Sequence, residues 1–135
     1  MKKKFKLIFF GAGPNQISYV KNSFLKKNYN IVIHNKLDKT ALQYADQFFL
    51  GSVYKKKRVL NICKKIKKNF QIDDIVCRST GPSVISAAAA YKFFKINRVN
   101  NELAKCIYSK FYLHKFLKKK KIPSLESKLI SKNQL

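Results

Sequence analysis

Short apolar runs alternate along this chain with longer stretches in which apolar residues recur at helical spacing. The runs with the length and composition of buried strands are residues 4–10 (KFKLIFF), 31–33 (IVI), 47–50 (QFFL) and 74–77 (DIVC). Helical patterns cover residues 14–28, 40–46, 59–70, 83–94 and 110–120. Because parallel neighbours need a crossover connection, this alternation predicts an α/β fold, a Rossmann-like parallel sheet with helices on both faces.

The C-terminal part of the sequence indicates where the sheet domain ends. Arg98 and Val99 are a candidate start of a fifth strand, and residues 128–131 a candidate start of another. Between them, Pro123 ends the last helix, since proline cannot continue one. We expect residues 1–108 to form the sheet domain, and residues 109–135 to hold a hinge helix and the start of a further domain.

Three details of the helices can be predicted from local patterns. Asn28 stands where a left-handed residue would end the first helix. In the last helix, Leu113, Phe116 and Leu117 recur at core spacing and are expected to face inward. The helix over residues 59–70 carries a lysine cluster opposite its apolar stripe, which predicts a solvent face.

The charge of the chain is strongly positive. Thirty basic residues against six acidic ones give a net charge of +24, and all but Arg58, Arg78 and Arg98 of the basic residues are lysines. Proteins that read nucleic-acid sequence rely on arginine for bidentate contacts, so the lysine excess favours a solvated surface set by composition. A field of this sign still attracts polyanions, which leaves non-specific binding to nucleic acid or to an anionic membrane open.

Neither a leader nor a disulfide framework is indicated. The apolar stretch near the start runs only from Leu7 to Phe10, too short for a signal peptide, and no run is long enough to span a membrane. Cys63, Cys77 and Cys106 are far apart and in no metal-binding spacing. We therefore expect reduced thiols, no bound metal and a cytoplasmic location.

A glycine turn follows the first strand, at the edge of a parallel sheet where ligands bind. Its candidate binding residues are Gly11, Gly13, Asn15 and Gln16. Backbone N–H groups at such a turn favour an anionic group. A dinucleotide site would have a small residue at position 16 and an acid after the second strand, whereas this chain has Gln16 and His34 there, which argues against bound NAD.

A second loop follows the fourth predicted strand. Its candidate binding residues are Arg78, Ser79, Thr80 and Gly81. An arginine, two hydroxyls and a glycine before a helix suit an anion or carboxylate pocket, but the hydroxyls could equally cap the helix in an ordinary turn. Both loops follow parallel strands, so we predict that they meet at one edge of the sheet. No catalytic triad or pair of carboxylates is visible, and no catalytic residue is assigned.

These segments together resemble a known superfamily. The stretches that carry the resemblance, in order, are KLIFFGAGPNQ (6–16), ADQF (45–48), CRSTGPSVISAAA (77–89), SKFY (109–112) and KIPS (121–124). They look like the N-terminal region of ATP-grasp ligases, the superfamily of biotin carboxylase and the carbamoyl phosphate synthetase large chain. The resemblance extends over essentially the whole chain.

The resemblance implies a Rossmann-like pre-ATP-grasp domain over residues 1–108, whose strand-end loops form the substrate side of the active site. By the same resemblance, Lys110 starts the hinge helix and reaches toward the phosphates of ATP. The complete enzyme would use ATP and Mg²⁺ to activate a carboxylate as an acyl phosphate, which an amine then attacks, as in a carboxylate–amine ligase or a carbamoyl phosphate synthetase. Three positions depart from the family pattern: Ser109 replaces an Asp, Leu125 a Pro, and His34 an acid.

In the family, the residues that bind ATP and coordinate Mg²⁺ follow the region that this chain resembles. The six acidic residues here are scattered, so we expect a substrate-side fragment that is inactive alone, binds no cofactor by itself and needs the missing ATP-grasp domain and a small carboxylate as partners. Two alternatives stay open: a nucleotide-binding Rossmann module of another enzyme, and a basic nucleic-acid-binding protein.

Overall fold

A computed structural model describes residues 4–16, 27–127 and 130. Within them, one parallel sheet has the strand order β3-β2-β1-β4. Its strands are β1 (Lys6–Phe10), β2 (Tyr29–His34), β3 (Gln47–Leu50) and β4 (Asp74–Cys77). The helices are α1 (Lys39–Leu42), α2 (Lys56–Asn69), α3 (Pro82–Phe94), α4 (Asn101–Tyr108) and α5 (Lys110–Lys119). The predicted α/β parallel sheet is confirmed.

Both faces of the sheet are covered, because successive side chains of a strand point to opposite faces. Ile8 and Phe10 of β1 are buried in a cluster that includes residues of α2 and α3. Leu7 and Phe9 face the other way, in a second cluster that contains Ala41 of α1. Apolar runs that lack a polar face are typical of strands buried on both sides, as the sequence indicates.

The central position of β1 brings two strand ends together. Phe10, its last residue, is in register with Ile33 of β2 on one side and with Cys77 of β4 on the other. The chain therefore leaves β1 and β4 at the same edge of the sheet, side by side. The loops that follow these two strands are neighbours as a result.

The predicted fifth strand at Arg98 and Val99 is wrong. Neither residue is in a strand, and α4 begins immediately afterwards. Asn100 caps α4 by accepting the Leu103 N–H at 2.8 Å. The Arg98 guanidinium instead forms an ion pair with Asp74 at 2.9 Å.

Two smaller expectations are also corrected. Helix α5 buries no residue, and Leu113, predicted to face inward, is 37% exposed. Among the described non-glycine residues, positive φ occurs at Lys95 and Lys121, so Asn28 lacks the predicted left-handed conformation. Residues 14–16 are helical as predicted, while the rest of that helix over 17–26 and most of the strand proposed at 128–131 lie outside the described residues.

Candidate functional site

The two predicted loops are in direct contact. Residues 11–16, here the Gly11 loop, follow β1, and residues 78–83, the Arg78 loop, follow β4. The Gln16 side-chain amide donates to the Ser79 hydroxyl at 3.1 Å and to the Arg78 carbonyl at 3.4 Å. The prediction that residues more than sixty positions apart meet at one sheet edge is confirmed.

Ser79 fastens the Arg78 loop to the end of β1. Its hydroxyl donates to the Phe10 carbonyl at 3.3 Å while it accepts from Gln16, and the residue is buried. Gly11, which follows Phe10, has φ +78°, and a Cβ there would lie 2.2 Å from the Ser79 hydroxyl. Position 11 therefore needs glycine both for its backbone conformation and for this close approach.

The backbone donors of the Gly11 loop are already used inside the protein. The N–H of Gly11 donates to the Ile33 carbonyl at 3.0 Å, and that of Gly13 donates to the Gln16 side-chain oxygen at 2.9 Å. The N–H of Ala12 donates to Nδ1 of His34 at 3.4 Å. This loop therefore shapes the edge of the sheet and holds the neighbouring loop, but its first three donors do not point at an open anion site.

His34, at the end of β2, belongs to this arrangement, although sequence reasoning assigned it no role. The residue is buried, and burial is the largest cause that holds its pKa below the ordinary value of 6.5. Asp38 raises the pKa and Lys36 lowers it by smaller amounts. A ring that accepts at Nδ1 is neutral with its proton on Nε2, and that nitrogen has no partner among residues 4–16 and 27–127.

The Arg78 loop leaves donors unpaired at the start of α3. Gly81 is the N-cap with φ +69° and ψ −141°, and no side chain caps the helix. The Ser83 hydroxyl donates to the Thr80 carbonyl at 2.8 Å, and the Ser79 hydroxyl is engaged with Phe10. Within the described part of the chain, no acceptor contacts the N–H groups of Thr80, Gly81 and Ser83.

The side-chain capping expected of an ordinary turn is not seen among the described residues. The Ser79 and Ser83 hydroxyls donate to the Phe10 and Thr80 carbonyls, and the helix-start donors have no side-chain cap within the described part of the chain. These donors lie at the positive end of a 13-residue helix dipole, where an anion or carboxylate is favoured. The predicted binding role of this loop stays a prediction.

Lys110 is the first residue of α5 and is exposed. Ser109 occupies the N-cap position, and its carbonyl accepts the Leu113 N–H at 3.0 Å, but its side chain makes no capping bond. The role of Lys110 toward ATP stays a prediction.

The described residues include neither a cluster of metal-ligating side chains nor a membrane-spanning helix. They contain no group of three or more His, Cys, Asp or Glu side chains that could hold a metal ion. The cysteines are free, and burial raises the pKa of Cys63 to about 12. No helix in this part of the protein has the length and apolarity needed to cross a membrane.

Lysines 64, 65, 67 and 68 of α2 are exposed, which confirms the predicted solvent face.

Comparison with known proteins identifies the fold. No protein-family model matches the sequence, and no curated protein matches it either. Among solved structures, the chain is similar to phosphoribosylglycinamide synthetase from Anaerococcus prevotii, with 19% identity, a TM-score of 0.71 and coverage of 87% of this chain. The chain spans 29% of the length of that protein. The fold implied by the sequence resemblance is thereby confirmed.

Proposed function

We propose that this chain is the substrate-side N-terminal domain of an ATP-grasp ligase that joins a carboxylate to an amine. The observation that carries the proposal is the set of unpaired backbone donors in the Arg78 loop, held at the sheet edge by the Gln16–Ser79 contact. A ligase of this class must bind a carboxylate next to its ATP site. The fold shared with the N-terminal region of an ATP-grasp ligase supports the same interpretation.

The residues of the two loops have different roles in this proposal. The N–H groups of Thr80, Gly81 and Ser83 donate to the carboxylate, and the exposed Arg78 guanidinium adds positive charge at the start of the same loop. Gly11 and Gly13 contribute shape, because their own N–H groups are engaged. Gln16 holds the loops together, and Asn15, which is exposed beside it, borders the site.

The rest of the enzyme would supply the ATP site. Mg-ATP, when bound there, provides the phosphoryl group that converts the carboxylate into an acyl phosphate. In this proposal residues 1–108 are the substrate-side domain and residues 109–135 the hinge helix and start of the ATP-grasp domain, with Lys110 directed at the phosphates. In the complete enzyme we expect Lys110→Ala to raise the Michaelis constant for ATP. Lys56→Ala, a lysine at the first position of another helix, should leave it unchanged.

Carboxylate binding by the 135-residue chain tests the proposal directly. Acetate, titrated at constant ionic strength, should shift the backbone amide NMR signals of Thr80, Gly81 and Ser83. Arg78→Gln should weaken acetate binding by about fivefold, the equivalent of roughly 1 kcal/mol for a charge-assisted contact. Arg58→Gln is the matched control, since Arg58 is also exposed but lies on α2.

Two results would contradict the proposal. Shifts scattered over the lysine-rich surface, with none in the Arg78 loop, would mean that acetate only follows the positive field. Equal weakening by Arg78→Gln and Arg58→Gln would mean that total charge, rather than this loop, attracts the carboxylate.

A further inference from the structure

A cavity of about 270 Å³ lies directly behind the Arg78 loop. One wall is a stripe of α3 formed by Val84, Ala87 and Tyr91, and another contains Val99 and Ile107, the latter on α4. Residues Ser79, Thr80 and Gly81 of the loop complete the lining. The cavity therefore shares Thr80 and Gly81 with the proposed carboxylate site.

The polar atoms of the cavity wall are either neutral or turned to other partners. The Tyr91 hydroxyl donates to the Ile75 carbonyl at 2.5 Å, and burial raises its pKa to about 12. Cys77 also lines the cavity, where its thiol donates to the Ser79 carbonyl at 3.7 Å and burial raises its pKa. Around neutral pH the inner surface thus carries no charge and offers mainly carbon and sulfur atoms to a ligand.

The polar end of the cavity is at the Arg78 loop. Among the described residues, no acceptor contacts the N–H groups of Thr80 and Gly81, and a Cβ built on Gly81 would meet no atom within 4 Å. Ile107, which also lines the cavity, is 58% exposed to solvent. A ligand in this space would therefore have both backbone donors and apolar side chains beside it.

We infer that this cavity is a specificity pocket for the apolar side chain of the carboxylate substrate. The ligand class is a small monocarboxylate with a branched aliphatic or single-ring side chain. A space of about 270 Å³ is slightly below the roughly 300–1,000 Å³ of most small-molecule sites, which limits the side chain to a few carbon atoms or one ring. The inference rests on the proposed function, which places the carboxylate at the Arg78 loop.

Binding of a series of small ligands to the 135-residue chain tests the specificity pocket separately from the proposed carboxylate site. The probes are acetate, isovalerate, phenylacetate and the uncharged isovaleramide, each titrated at constant ionic strength. The readout combines methyl NMR signals of Val84, Ala87 and Val99 with the amide signals of Thr80 and Gly81. Each buried carbon strengthens binding about fourfold, so isovalerate should bind at least about tenfold more tightly than acetate. It should also shift both sets of signals.

Matched variants locate the side-chain pocket. Ile107→Asp places a carboxylate on the cavity rim and should weaken isovalerate binding by about tenfold, because it repels both the apolar group and the charge. Leu103→Asp makes the same change four residues earlier on α4, at a residue that is 45% exposed and does not line the cavity, and should change binding by less than about twofold. Ala87→Leu should fill the cavity and lower the ratio of isovalerate affinity to acetate affinity to about one.

Each contrary outcome has a distinct meaning. If acetate and isovalerate bind equally well at Thr80 and Gly81, the specificity pocket is refuted and the proposed carboxylate site stands. If isovaleramide binds as tightly as isovalerate and shifts the methyl signals, the cavity is an apolar site but the carboxylate proposal fails. The absence of methyl shifts with every probe would overturn the inference, as would equal losses in Ile107→Asp and Leu103→Asp.

Discussion

The side chain of Gln16 connects two loops through Ser79. Its Nε2 donates to the Ser79 hydroxyl at 3.1 Å, while its Oε1 accepts the Gly13 N–H at 2.9 Å. One amide group thus holds the glycine turn closed and fastens it to the neighbouring loop. The position at which a dinucleotide-binding turn has a small residue serves here as a structural link between two strand ends.

Loss of this link should destabilise the sheet edge. We expect Gln16→Ala to lower the free energy of unfolding by about 1–2 kcal/mol, since it leaves the Gly13 N–H without its partner and removes the contact with Ser79. Urea denaturation followed by circular dichroism measures the change. Gln71→Ala, at an exposed glutamine outside the helices and strands, is the control and should cost less than about 0.5 kcal/mol. Equal effects of the two variants would show that the link does not contribute.

Gly11 and Gly81 provide a matched pair for separating backbone strain from steric overlap. Both have positive φ, but a Cβ on Gly11 would lie 2.2 Å from the Ser79 hydroxyl, whereas one on Gly81 meets no atom within 4 Å. Both Ala substitutions should destabilise the protein through the backbone, and Gly11→Ala should cost about 2 kcal/mol more because Ser79 must give up its hydrogen bonds. Adding Ser79→Ala to Gly11→Ala should then cost less than Ser79→Ala alone. Fully additive losses would argue against the overlap.

Acidification should destabilise the protein through His34. Burial holds the pKa of His34 below its ordinary value of 6.5, so the unfolded chain takes up the proton first as the pH falls. The stability that this residue confers is therefore complete above pH 6.5 and is lost as the pH drops toward the folded-state pKa. His34→Asn keeps a side-chain acceptor for the Ala12 N–H without a titrating ring. Urea unfolding between about pH 5 and 8 should show a smaller loss of stability in this variant than in the wild type. If the stability of the wild type and of His34→Asn changes equally with pH, His34 is not the group that makes the protein less stable in acid.

The positive charge should produce polyanion binding that ignores sequence. Exposed lysines such as Lys64 and Lys68 on α2 offer phosphate contacts without the bidentate geometry that reads bases. Binding to labelled DNA duplexes should weaken by about a hundredfold or more between about 50 and 200 mM salt, and by the same factor for every sequence. A preference of more than about tenfold for one duplex that survives at the higher salt would instead favour a nucleic-acid-binding protein.

The parts of the structure that follow from local patterns were predictable. The strands and the meeting of the two loops depend on apolar runs, glycine positions and the rule that parallel strands end at one edge. The hydrogen-bond partners were not predictable, since Ser79 bonds to Phe10 and His34 to Ala12 only through the register of β1 with its neighbours. Helix α4 was missed because its start signal is brief, an Asn100 cap with Glu102 in the first turn.

An isotope experiment tests the assignment as a ligase domain most directly. The proposed complete enzyme, in which this sequence is joined to an ATP-grasp domain, is supplied with Mg-ATP, ammonium or an amino acid as the amine, and each carboxylate of the binding series labelled with ¹⁸O in its carboxyl group. Activation as an acyl phosphate transfers one carboxylate oxygen to phosphorus, and attack by the amine then releases that oxygen with the phosphate. We predict that the phosphate released carries one ¹⁸O, that Arg78→Gln lowers the rate, and that the 135-residue chain alone releases no phosphate. Phosphate without ¹⁸O, formed at a rate that does not depend on the carboxylate, would contradict the assignment.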